Sequence, residues 1–77
     1  MATESFKVLQ KFGLENLYYK ILVQAKSGNR YFVWYYDSLD ADVSQEVLIN
    51  FDDDYWRTIN NPRNGNKSNI GKVNKVN

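Results

Sequence analysis

Residues 17–37 hold two runs rich in β-branched and aromatic side chains, on either side of Lys26-Ser27-Gly28-Asn29-Arg30. Gly and Asn tolerate the positive φ that tight hairpin turns require, so the segment predicts a β-hairpin. With Gly28 and Asn29 as the central turn residues, Ala25 faces Phe32, Val23 faces Trp34 and Ile21 faces Tyr36. Side chains alternate along a strand, so these six share one side of the sheet. The opposite side then carries Lys26 with Tyr31, Gln24 with Val33, Leu22 with Tyr35, and Lys20 with Asp37. A turn centred on Ser27-Gly28 slips the pairing by two residues and leaves each side chain on the same face. Phe32 and Trp34 therefore read as core, and Leu22, Tyr31, Val33 and Tyr35 as an outer patch.

A 77-residue chain has room for one domain with a thin stability margin. It contains no cysteine and no histidine, which removes disulfides and the usual zinc ligands as staples. Stability must come from apolar burial, and the 16% aromatic content suits that need.

The flanks of the hairpin predict an α+β domain. Thr3 or Ser5 can cap a helix over residues 4–12, where Val8 and Phe12 lie four apart and Phe6 and Leu9 three apart. Gly13 stands where a C-terminal cap belongs. Residues 37–45 read as a turn or loop. Residues 46–51 alternate Val47, Ile49 and Phe51 with Glu46, Leu48 and Asn50, which predicts a third strand; a helix capped by Asp40, with Val43, Val47, Leu48 and Phe51 on one stripe, competes with it. Asp52 as cap and the Trp56/Ile59 spacing predict a short helix over residues 53–60, stopped by Asn60, Asn61 and Pro62. The expected architecture is a three-stranded antiparallel meander with two short helices over residues 1–60. Residues 61–77 read as a basic Asn/Lys-rich tail.

The net charge of +1 conceals three blocks. Residues 1–36 sum to +3, residues 37–54 to −7 with no Lys or Arg, and residues 55–77 to +5 with no acid. Such blocks either neutralise one another in the fold or steer partners. The N-terminal residues lack the pattern of a secretory signal, and the longest apolar runs are too short to span a bilayer. The chain reads as cytoplasmic, with no membrane partner.

Without His or Cys the common general bases and thiol nucleophiles are absent, so the expectation is a non-enzyme with no cofactor and no metal. Asp40 and Asp42 resemble the start of a calcium loop, but its glycine position is Gln45 and its closing Glu position is Phe51. Asp52, Asp53 and Asp54 suit a solvated helix start better than a magnesium site. The four glycines are scattered and form no phosphate loop.

Three binding readings remain. The first is a protein-binding module, an inhibitor or adaptor or a homodimer, contacting another protein through Leu22, Tyr31, Val33 and Tyr35 with Lys26 and Arg30 at the rim. The second is single-stranded nucleic-acid binding through stacking on Tyr31 and Tyr35, with Lys20, Lys26, Arg30, Arg63, Lys67, Lys72 and Lys75 as phosphate contacts. The third is an acidic mimic of a phosphate backbone, built on residues 37–54. The size and the Asn, Lys and Tyr richness suit a viral or mobile-element accessory gene.

Overall fold

The computed structural model describes residues 2–53 and 55–76. These form six strands: β1 (Ala2–Glu15), β2 (Tyr18–Ala25), β3 (Arg30–Tyr35), β4 (Glu46–Asp52), β5 (Tyr55–Asn60) and β6 (Lys67–Lys75). Neighbours pair antiparallel in the order β1-β2-β3-β6-β5-β4, and β4 returns to β1 to close a barrel. The α+β meander is therefore corrected to an all-β barrel, with no helix among the described residues.

The hairpin lies where its turn chemistry put it, but its loop has three residues. Lys26, Ser27 and Gly28 span the turn, with Gly28 N–H donating to the Ala25 carbonyl at 2.9 Å and Ala25 N–H to the Asn29 carbonyl at 2.8 Å. Gly28 takes φ 97°, the left-handed conformation that a three-residue loop requires at its last position. The three-residue loop sets β3 one residue away from the pairing of a Ser27-Gly28 turn and three residues away from that of a Gly28-Asn29 turn. Ile21 now pairs with Val33, Val23 with Tyr31 and Tyr19 with Tyr35. A shift by an odd number of residues turns a strand over. Val33 and Tyr35 lie in the core at 0% and 5% exposure, while Phe32 and Trp34 point outward, half-buried.

The segment expected as the first helix is the long strand β1. Residues 2–7 pair with β4 and residues 6–15 with β2, so one strand seals two edges. Two register irregularities, between Val8 and Gln10 and between Lys11 and Gly13, bend it around the corner. Gly13 has φ 78° at the second bend, so its positive φ serves a bulge rather than a helix cap. Phe6 and Val8 point inward and Phe12 outward, which splits the Val8/Phe12 pair that suggested a helical stripe.

The second expected helix is β5. Its register jumps from Asn50↔Thr58 to Phe51↔Trp56, which leaves Arg57 as an extra residue. Trp56 and Ile59, three apart, thereby both face the core. The same device recurs in β6, where Gly71 is extra between Trp34↔Lys72 and Tyr35↔Ile70, and Ile70 and Val73 both pack inward. The expected tail thus supplies a barrel strand; its last residue, Asn77, lies outside the described residues. At β4 the strand reading holds, with Val47 and Ile49 buried.

The interior holds Phe6, Val8, Ile21, Val23, Val33, Tyr35, Val47, Ile49 and Ile59. One end is plugged by the connection between β3 and β4, which buries Leu39 and Ala41. Buried Asn61 holds that plug: its side-chain amide donates to the Leu39 carbonyl at 3.0 Å, as does that of Asn64 at 3.1 Å. The other end is filled by rings, with Trp56 lying 4.8 Å from Tyr31 and 5.1 Å from Phe6 between ring centroids.

Tyr35 stacks on Tyr19 at 5.6 Å. Burial, reinforced by the neighbouring Tyr19 phenol, pushes the Tyr35 hydroxyl up to about 12. In the unfolded chain this proton leaves near about 10. The folded state therefore holds the proton more tightly, and this stabilisation is intact below about pH 10 and lost as pH rises towards 12. Urea midpoints measured across that window should fall, and Tyr35→Phe should remove this part of the fall.

Candidate functional site: an aromatic and basic outer face

The reversal of β3 builds the site. On the outside of β2, Lys20 pairs with Trp34, and Leu22 with Phe32. Trp34 and Phe32 in turn pair with Lys72 and Asn74 of β6. The bulge of β1 adds Phe12 from the other side. Phe12 and Phe32 lie 5.8 Å apart, and Phe32 and Trp34 6.1 Å apart, between ring centroids. The Lys20 ammonium sits among all three, 4.8 Å from Phe12, 4.6 Å from Phe32 and 5.2 Å from Trp34. The Lys72 ammonium lies 5.0 Å from the Trp34 ring. Ring quadrupoles attract these cations. Among the described residues the ion pairs are Lys11–Asp42 and Arg57–Asp52, and neither Lys20 nor Lys72 takes part in one.

The face continues to Tyr18 and Tyr36, whose rings lie 5.1 Å apart. A hydrogen bond with Tyr18 is the main reason the Tyr36 hydroxyl is held above its ordinary value. Both rings press on Gly71, where a Cβ would come within 2.9 Å of Tyr18 and 3.0 Å of Tyr36. A cavity of about 420 Å³ opens beside them, lined by Glu15, Tyr18, Trp34 and Lys72 among others.

The residues expected from sequence are dispersed. Val33 and Tyr35 are core, so neither can form a contact patch or a stacking platform; the longer loop turned them inward. Tyr31 is half-buried and packs on Phe6 and Trp56. Leu22 does face outward, beside Phe32. Lys26 is exposed in the hairpin loop and Arg30 is exposed at the start of β3. Lys20 and Lys72 reach the aromatic face, and Lys75 pairs across from Tyr31 at the end of β6. Arg63 lies in the β5–β6 loop, its N–H bonded to Asn61, and Lys67 opens β6, so both stand away from the rings. Of the acidic stretch, Asp42 and Asp52 are engaged by Lys11 and Arg57. Asp54, the third acid of the candidate magnesium triad, lies outside the described residues.

Phe12, Phe32 and Trp34 are the residues that sequence reasoning missed. The one local signal was Gly28, which suits the last place of a three-residue loop as well as the centre of a two-residue turn.

Fold and face together define a small, closed antiparallel β-barrel with an aromatic, lysine-bearing exterior. No protein-family model matches the chain, and no curated protein or solved structure matches it. No helix among the described residues is long and apolar enough to cross a membrane.

Proposed function

We propose that this chain is a non-catalytic binding protein that holds single-stranded nucleic acid on the outer face of β2, β3 and β6. The observation that carries this reading is the interleaving of Phe12, Phe32 and Trp34 with two lysines that have no carboxylate partner among the described residues. Bases stack on aromatic rings without regard to sequence, while cations follow the phosphates. Lys20 can leave the rings for a phosphate, which opens the ring faces to a base. Arg30 and Lys26 extend the positive field along the hairpin. A cytoplasmic location, where single strands are met, goes with this reading.

The test is fluorescence polarisation of a labelled oligothymidine. Binding should weaken steeply as salt rises, because each phosphate contact on a single strand contributes about −0.7 to the log–log salt slope. Trp34→Ala should weaken binding by roughly fivefold to 150-fold, the equivalent of ~1–3 kcal/mol for one stacked base. Absence of binding at low salt, about 50 mM, would remove the proposal.

A separate observation favours a protein partner or a second copy as an alternative. Leu14 and Leu17, beside the β1–β2 turn, are 62% and 79% exposed. Apolar side chains so placed suit a contact with another protein. Under that reading Leu17→Ser reduces self-association in light scattering or capture of a partner, and leaves oligonucleotide affinity unchanged.

A further inference from the structure

The β5–β6 ladder covers three residue pairs, from Asn60↔Lys67 to Thr58↔Asn69. Beyond Asn69, β6 continues along β3 as far as Lys75, while Tyr55 and Trp56 of β5 stay with β4. The barrel wall therefore opens into a slot between the start of β5 and the end of β6. A cavity of about 360 Å³ lies there. That is at the lower end of the ~300–1,000 Å³ typical of ligand pockets.

Its floor is apolar: Trp56 and Tyr31, 4.8 Å apart, with Ile70 and Val73 beside them. Its rim carries Tyr55 on one side and Lys72 and Lys75 on the other, and among the described residues no Asp or Glu side chain lines it. An added β-strand fits this opening poorly. β5 and β6 run antiparallel, so an inserted strand would be antiparallel to one neighbour and parallel to the other. The floor suits a flat apolar group, and the rim suits an anion attached to it.

We infer that the slot takes one base of the bound strand, with Lys72 and Lys75 holding the flanking phosphates. The inference rests on the nucleic-acid reading and adds a second aromatic station to it. The two stations are continuous, since Lys72 lies against Trp34 and also on the slot rim, and Gly71 lines both cavities. A strand crossing Lys72 would stack one base on Trp34 and seat another between Tyr55 and Trp56.

The chain has two tryptophans, Trp34 and Trp56, so ¹⁵N-edited NMR of the intact protein gives one indole N–H signal for each. Trp56→Phe assigns them. Titration with an oligothymidine of about eight nucleotides, within the site sizes usual for small barrels, should shift both signals. Tyr55→Ala removes an exposed rim residue, leaves the barrel folded, and should weaken binding by about fivefold to tenfold. A shift confined to Trp34, with Tyr55→Ala binding as tightly as wild type, overturns the slot and leaves the outer face standing. Absence of any shift, together with flat polarisation, overturns both.

Discussion

Tyr35→Ala is expected to unfold the barrel at ordinary temperature, and Trp34→Ala is expected to leave it folded. The two residues are adjacent in an aromatic run, yet they face opposite ways. Tyr35 is 5% exposed, stacks on Tyr19 and belongs to the central cluster. Truncating a buried aromatic residue costs ~3–5 kcal/mol, through lost burial and the cavity left behind. A barrel this small, without disulfides, has little more than that to lose. Trp34 stands over Lys20 and Lys72 on the outside, so its loss removes ring–cation contacts worth ~0.5–1 kcal/mol at exposed sites. Urea denaturation of the two variants should differ by several kcal/mol. The reverse order would mean that β3 is turned over relative to the structure.

Ser68→Ala should cost ~2–3 kcal/mol, far more than an ordinary serine on a strand. Ser68 is 3% exposed on β6, and its hydroxyl is the acceptor for two backbone donors. The amides of Tyr36 and Asp37 both donate to it at 2.9 Å, and it donates in turn to the Asn69 carbonyl at 2.9 Å. Alanine would leave two amides without their acceptor where β3 gives way to the loop that carries the Leu39 plug. The urea midpoint should fall. Hydrogen exchange at Tyr36 and Asp37 should also quicken, while amides in the middle of β2 keep their protection until global unfolding. A wild-type midpoint in Ser68→Ala would show that water replaces the hydroxyl at no cost.

How much could be read from residues alone is clearest at the hairpin. The strands, the turn and strict alternation were legible in Ile21-Leu22-Val23 and Phe32-Val33-Trp34, because they are local properties. The face of β3 was not legible, since it depends on whether the loop closes over two residues or three. Both two-residue turns considered keep the same parity, and Gly28 in a three-residue loop reverses it. The site expected from sequence depends on that parity, which sets Tyr31, Val33 and Tyr35 outside and Phe32 and Trp34 inside, the reverse of the structure at Val33, Tyr35, Phe32 and Trp34.

The two expected helices failed for a related reason. A bulge places residues three apart on the same face, which imitates helical spacing. Trp56 and Ile59 straddle the extra Arg57, and Ile70 and Val73 straddle the extra Gly71. Residues 4–12 carried spacings that fit either period. Barrel closure decided among them: without β1, the edges of β2 and β4 would each lack a partner. A nine-residue helix is marginal by itself and could not outweigh two ladders.

By itself, then, the amino-acid order determined that the chain has an aromatic hairpin, an alternating strand around Val47 and Ile49, and no thiol or imidazole chemistry. Those are consequences of side-chain type and of neighbours two to four residues away. Only the tertiary structure decided that all six segments are strands, that residues 67–75 complete the wall, and that Phe12, Phe32 and Trp34 meet Lys20 and Lys72 outside. Each of these depends on hydrogen bonds between segments far apart in the chain, and ring closure constrains them all at once.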